Sequence, residues 1–338
     1  MQISYRQSLR SFNTFGVDVR AYLLCKAGTH DDLKKILTFA KRKALKVLFL
    51  GGGSNILLAR DFDGVVILLE GFIDIEQRSR GTHRWVRVGA GVNWDAFVQY
   101  CAEAQLQGLE SLAGIPGTVG AAPIQNIGAY GTEVADCLVG VEVLDRLTHS
   151  RYWLPRNDLG LGYRDSVFKS RYAQRLVILS VLFQMRECGA WAQLDAKIRE
   201  ELGAQPQART LTDITAAVRR VRNRRLPEPG QLGNAGSFFV NPVVSAACMA
   251  QLMARYSQFP AFEQPGGRWK LSAGWLIQQC VAVGFRVDRV GIYTHNPLVV
   301  INYEGATGAE IIAFGELLRR LVFAKFHIEL TREPVFID

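Results

Sequence analysis

The chain has 338 residues, of which 49% are hydrophobic and 21% charged; that is enough for two or three domains with cores of their own and excludes a disordered chain or a small stapled scaffold. Lysine and arginine exceed aspartate and glutamate by 9 and the mean hydropathy is +0.06, so the expected partners are anionic: phosphates, nucleotides or nucleic acid. Apolar runs such as Leu176 to Phe183 and Val65 to Leu69 fall far short of the ~20 residues a membrane-spanning helix needs, and they read as buried strands without membrane insertion.

In chain order, Met1 to Phe15 carries Arg6 and Arg10 without an apolar block, so it lacks the middle region of a secretory signal and a cytoplasmic chain is expected. Thr29 precedes Leu33, Ile36, Leu37 and Ala40, the spacing of a capped helix buried on one face. Lys46 to Leu50 is a short buried strand that runs into Gly51, Gly52, Gly53, Ser54 and Asn55. Glycines there permit positive φ and crowd backbone N–H groups around an anion, while Ser54 and Asn55 add side-chain donors. A plain tight turn has the same composition, and the segment matches neither the P-loop nor the dinucleotide fingerprint. Arg84 to Val88 alternates as a strand, and Asn93 caps a helix expected to reach about Gln107, stopped by Gly108.

Gly114 to Gly131 is rich in glycine, holds Pro116 and Pro123, and carries amide and hydroxyl groups but no charge. A solvated linker would carry lysine or glutamate; an uncharged glycine-rich wrap suits a long, partly anionic cofactor held by backbone bonds. After a strand at Val139 to Leu147, the segment Gly160 to Lys169 sets Arg164 among glycines and aromatics. It is a surface arginine in a turn or, if buried, a charge that needs a partner. Another strand follows at Leu176 to Phe183. A helix from near Thr212, stopping before Pro227, then carries Arg219, Arg220, Arg222, Arg224 and Arg225. These fit a solvated helix end, an anionic small-ligand contact from the last arginine, or nucleic acid, although no aromatics are interleaved.

Pro227 and Pro229 make a stiff break and the expected start of another domain. It contains a helix capped by Ser272 and closed near Gly284, a strand at Leu298 to Asn302, and a capping box of Thr307 with Glu310 opening a long helix. Phe326 to Leu330 and Pro334 to Ile337 read as strand, with Glu333 beside apolar neighbours as a rim charge or a tuned acid. The six cysteines and five histidines are scattered without ligand spacing, so no metal site is expected.

Taken together, Asn13 to Gly16, Gly51 to Asn55, Gly114 to Gly131, Tyr163 to Lys169, Gly233 to Pro242 and Lys270 to Leu276 resemble the UDP-N-acetylenolpyruvoylglucosamine reductase family along essentially the whole chain, in the long form with a substrate lid loop. The resemblance implies an α+β protein: a vanillyl-alcohol-oxidase/PCMH-type FAD-binding domain pair with a separate α+β substrate-binding domain. FAD subdomains are expected at 1–69 and 70–225, a terminal strand at 328–338 returning to the flavin site, and the substrate domain at 226–327. Such proteins bind FAD without the Rossmann glycine turn. The implied cofactor contacts are Gly51, Gly52, Gly53, Ser54, Asn55, Ile115, Pro116, Gly117, Gly120, Ala121, Gln125, Asn126, Ile127, Gly128 and Tyr163.

The implied activity is NADPH-driven reduction of UDP-N-acetylglucosamine enolpyruvate to UDP-N-acetylmuramate for peptidoglycan, and with it for cell shape and division. Arg164, Ser237 and Glu333 fall at the catalytic positions: Ser237 as proton donor, Arg164 and a protonated Glu333 as stabilisers of an enolate-like intermediate. Trp191 at the lid, Arg225, Asn241, Phe262 and Lys270 fall at substrate positions. Several of these depart from the family pattern. Arg225 and Val240 stand for lysines, Trp191 and Phe262 for tyrosines, and Gln278 for an acid; Tyr293 to Pro297 is altered, and Leu330-Thr-Arg-Glu-Pro replaces Leu-Glu-x-Glu-Val. Pro334 puts the backbone setting of Glu333 in question, because proline donates nothing to a ladder. The alternative is therefore a reductase on the same scaffold for another anionic enol ether or conjugated acid. A flavin binder without turnover, or a nucleic-acid role for the arginine helix, are the remaining readings. A monomer is the expected state, though no residue pattern fixes it.

Overall fold

The computed structural model describes residues 1–338 except 82, 188–193, 204–208, 229 and 257–258; Trp191, the expected lid residue, and Pro229 lie outside the described residues. The chain packs as two units whose segments interleave: Met1–Gln7, Ala21–Gly53 and Asp63–Arg224 form the first, and Ser8–Arg20, Ser54–Phe62 and Arg225–Asp338 the second.

The first unit holds two sheets. In the smaller, the strands run in the order Gln2–Ser8, Arg20–Lys26, Phe62–Leu68, Lys46–Phe49. The helix His30–Arg42 begins with a full capping box between Thr29 and Asp32 and buries Leu33, Ile36, Leu37 and Ala40, as their spacing requires. These side chains share a core with Val65 and Ile67 of the small sheet and Leu144, Val177 and Leu179 of the large one. The large sheet is antiparallel along the order Arg151–Pro155, Leu138–Asp145, Leu176–Glu187, His83–Gly89, Ile75–Arg80. A bulge between Glu142 and Val143 shifts the alternation along that strand. The helices Trp94–Glu103 and Leu211–Asn223 contribute Phe97, Val98, Ile214 and Val218 to a core with Val86, Val141, Val181 and Phe183. Each such side chain contributes about 1.5–3 kcal/mol by leaving water.

The second unit is built on Phe238, which packs edge-on against Phe15 and Phe239 and tilted against Phe336, with ring centroids 5.1 to 6.3 Å apart. Around it stand the antiparallel strands Arg286–Val287, Val290–Tyr293 and Asn296–Asn302, and a second sheet of Val243–Ser245, Arg268–Leu271 and Ala261–Gln264. A parallel pair joins Ile56–Leu58 to Val335–Ile337. The Gly308–Phe326 helix opens with the expected Thr307–Glu310 capping box. It lies so close to the Ile56–Leu58 strand that a Cβ on Gly308 would meet the Leu58 carbonyl oxygen.

Three expectations change. The helix capped by Asn93 ends at Glu103, not near Gln107, because Gln105 takes a left-handed φ of 55° and Leu106–Gln107 pairs with Arg186 and Glu187. The helix capped by Ser272 covers only Ala273–Gln278. Phe326 to Leu330 is no strand: Phe326 is the last residue of the long helix, His327 ends it in a left-handed conformation, and Ile328 to Leu330 run without a ladder.

Candidate active site

In the first unit, two glycine turns meet at backbone distance. A Cβ on Gly51 would stand 2.7 Å from Thr118 Oγ1, and one on Gly52 would stand 2.7 Å from Gly117 Cα. The second turn is fixed from behind: Val119 N donates to Val92 O and Gly120 N to Ala90 O, each at 2.9 Å, and Trp94 N donates to Gly117 O. Gly120 leaves no room for a side chain, since its Cβ would sit 2.5 Å from that of Ala90. Gly51, Gly52 and Pro116 are exposed at this junction, and Ile115, Gly117 and Ala121 half-buried.

The rest of the glycine-rich block is tied down by its own side chains. Asn126 is 1% exposed in a left-handed conformation; its amide donates to Glu133 Oε2 and Gly162 O and its oxygen accepts from Ala135 N. Asn126 therefore shapes the loop carrying Gln125, Ile127 and Gly128. Gly162 and Asp165 exchange two backbone hydrogen bonds, which places Tyr163 and Arg164 at the tip of a tight turn. Arg164 has φ 55°, stacks its guanidinium over the exposed Tyr163 ring at 5.3 Å and donates through Nη2 to Gly128 O at 2.8 Å. Ser166 closes the arrangement, its hydroxyl donating to Ile124 O.

Arg222 is one of the five arginines at the end of this helix, of which the family resemblance marks Arg225 and not Arg222. It stands beside Gly114, whose Cβ would meet its Cδ at 3.3 Å. Burial holds its guanidinium below the usual arginine range, repulsion from Arg164 adds to this, and Tyr130 and Asp95 act in the opposite sense. The periodicity could have found it: Arg222 is four residues beyond Val218 and one beyond Val221, both buried, so it continues the core-facing stripe. Of the other arginines, Arg219 pairs with Asp95, and Arg220 and Arg224 share Glu201, while Arg225 is exposed.

The donor set suits a long dianionic cofactor: two glycine turns that admit a close approach, with the Arg222 guanidinium beside Gly114 in the same unit. Gly52→Ala is expected to lose it. The new methyl would press on Gly117 backbone, which cannot yield as a flexible side chain would. The purified variant should lack the visible flavin absorbance and regain little on incubation with FAD, whereas Gly230→Ala, with open space around its Cβ, should match the wild type.

In the second unit, Asn234 is 3% exposed and anchors the turn before Ser237. Its amide donates to Pro227 O and Leu232 O, its oxygen accepts from Gly236 N, and its own N–H donates to Thr14 O. Gly233 is pressed against the Phe15 carbonyl and Gly236 has φ 69°. Ser237, half-buried, emerges bridged to Val299. Glu333 is brought to it from the far end of the chain: Glu333 N donates to Phe238 O at 3.0 Å, Val240 N to Thr331 O at 2.9 Å, and Phe239 bridges Arg332. Asn55 also borders Glu333, its amide donating to Glu333 O and its carbonyl accepting from Val335 N. Pro334 removes no bond from this ladder, because the donors on either side of it, Glu333 N and Val335 N, are both used. Among the substrate candidates, Phe262 lies directly opposite Lys270, with Phe262 61% exposed, and Asn241 Oδ1 accepts from Ala273 N at the start of its helix. Arg164 belongs to the first unit, Ser237 and Glu333 to the second.

Residues 21–147 match the model of an FAD binding domain, which defines the class as a flavoprotein, and FAD is the cofactor. Residues 228–337 match the C-terminal domain of UDP-N-acetylenolpyruvoylglucosamine reductase. The chain is 38% identical over 335 residues to the UDP-N-acetylenolpyruvoylglucosamine reductase of Pseudomonas fluorescens (strain Pf0-1), covering 99% of this chain and 98% of the relative. It is 41% identical over 334 residues to that of Chromobacterium violaceum, covering 97% of each. The crystal structure of the UDP-N-acetylenolpyruvylglucosamine reductase of Thermus caldophilus is similar over 100% of both chains, with a TM-score of 0.69 and 26% identity. The chain belongs to the UDP-N-acetylenolpyruvoylglucosamine reductase family.

Proposed function

We propose that this protein catalyses the FAD-dependent, NADPH-driven reduction of UDP-N-acetylglucosamine enolpyruvate to UDP-N-acetylmuramate, a step in making peptidoglycan precursors. The observation that carries this reading is the joining of the Ser237 and Glu333 segments by the bond from Glu333 N to Phe238 O at 3.0 Å, which sets an acid and a carboxyl group on neighbouring stretches of backbone. The chemistry that bound FAD, reduced by NADPH, would supply here is a hydride for the enolpyruvyl methylene carbon. Negative charge then collects on the adjacent carbon and its carboxylate. Arg164 and the neutral acid form of Glu333 hold that charge, and Ser237 gives its hydroxyl proton to the carbon. A serine hydroxyl is a weak acid, so the step needs a carbanion-like acceptor and excluded water. Gly51, Gly52, Gly53, Ser54, Asn55 and the 115–128 loop would hold the cofactor, with Tyr163 beside it; Trp191, Arg225, Asn241, Phe262 and Lys270 would meet the UDP-sugar. The division into FAD subdomains at 1–69 and 70–225 and a substrate domain at 226–327 belongs to the same reading. No helix among the described residues is long and apolar enough to cross a membrane, which is compatible with the cytoplasmic location proposed for this step.

Phe262, exposed opposite Lys270 and lacking a phenolic hydroxyl, favours a second reading in which the same chemistry acts on another anionic enol ether. Anaerobic oxidation of NADPH by the FAD-loaded protein, with and without UDP-N-acetylglucosamine enolpyruvate, separates the two. Substrate-dependent turnover is the expected result. Flavin reduction without reoxidation by that substrate would transfer the assignment to the second reading.

A further inference from the structure

The Gly308–Phe326 helix does more than cover the second unit's core. Gly315 brings it against the ring of Phe238, where a Cβ would stand 2.5 Å from Cε1; Phe238 is the residue after Ser237. The next position on the helix is Glu316, whose carboxylate takes both Nη1 bonds of Arg319, at 3.1 and 2.8 Å, and lies 3.5 Å from Nη1 of Arg332. Arg319 Nε donates to Leu330 O at 3.0 Å. Arg332 lays its guanidinium over the Phe336 ring at 4.1 Å. One carboxylate thus ties together two arginines that hold the segment immediately before Glu333, one through its backbone and the other through its side chain. The three charged groups keep about a third of their side-chain surface in water, where ion pairs add little to stability. Such a cluster is better suited to fixing a geometry than to holding a fold.

We propose that Glu316 is a positioning residue of the reaction: through Arg319 and Arg332 it sets the offset of Glu333 from Ser237. This rests on the catalytic reading of Glu333. The clamp acts on the step in which the enolpyruvyl carbon is protonated, because that step requires the carboxyl group and the hydroxyl to meet one substrate together, and small misplacements there are costly in rate.

The test is a double-mutant cycle in the FAD-loaded protein, following flavin reduction by NADPH and reoxidation by UDP-N-acetylglucosamine enolpyruvate separately, together with the melting temperature. Glu316→Gln keeps the shape and removes the charge. It is expected to slow reoxidation about 10-fold, with the substrate KM, the NADPH half-reaction and the melting temperature near wild type. In a Glu333→Gln background the same change should add little, since the group it positions is already altered. Arg332→Met, which keeps an apolar contact with Phe336, should reproduce the loss in reoxidation. Wild-type reoxidation in Glu316→Gln, or a full multiplicative loss in the double variant, overturns the positioning role while leaving Glu333 catalytic. Wild-type reoxidation in Glu333→Gln alone overturns the catalytic reading itself. A melting temperature that falls in step with the rate in both Glu316→Gln and Arg332→Met assigns the cluster to structure instead.

Discussion

Ser237→Ala is expected to lower substrate-dependent turnover by about a thousand-fold, the scale of a lost general acid, while NADPH reduces the flavin at the wild-type rate. The change is clean in structural terms. What fixes Ser237 is its backbone, through the bridge to Val299 and the bond from Phe238 N to Leu298 O at 2.7 Å, and alanine keeps all of it. The turn before it is held by Asn234, whose three side-chain bonds do not involve the serine hydroxyl. Stopped-flow absorbance of the two half-reactions would read the split directly. Equal slowing of both would assign Ser237 to cofactor placement, and the proton would then come from another group.

Arg164→Lys is expected to slow reoxidation by roughly a hundred-fold, as for one lost preorganised donor in a water-poor site, with the FAD content unchanged. Lysine keeps the charge but not the planar fork that reaches Gly128 O while lying over Tyr163. Both residues carry a Cβ, so the left-handed φ of 55° strains each equally and the comparison isolates the head group. Arg164→Gly would relax the turn and confound the result. Single-turnover rates with pre-reduced protein would check it; a loss of bound FAD in Arg164→Lys would point instead to a role in holding the cofactor.

Helix starts were legible because the chemistry that makes them is confined to four residues. Thr29 with Asp32, Asn93 with Ala96, Ser272 with Trp275 and Thr307 with Glu310 all cap as their order in the sequence requires. Helix ends were not, because a partner elsewhere in the chain decides them. Leu106 and Gln107 leave the helical pattern to pair with Glu187 and Arg186, and no residue near them announces it. Of the first two strands, Gln2–Ser8 lacks an apolar run for a related reason: it lies at a sheet edge and is largely exposed, so its neighbour Arg20–Lys26 supplies the order.

The sequence by itself pointed to a cofactor wrap at Gly114 to Gly131, through an uncharged glycine-rich composition, and through its family resemblance to Arg164, Ser237 and Glu333 as catalytic candidates. It also pointed to Pro334 as a possible fault in the ladder. Only the tertiary structure decided that Glu333 N and Val335 N both find acceptors around that proline, that segments 8–20 and 54–62 pack with the C-terminal unit, and that Arg222 stands beside Gly114. The reason lies in range. Propensity and capping act over a few residues, whereas the bonds that join Thr14 to Asn234, Asn55 to Val335 and Phe238 to Glu333 form only once hydrophobic burial has brought distant segments together.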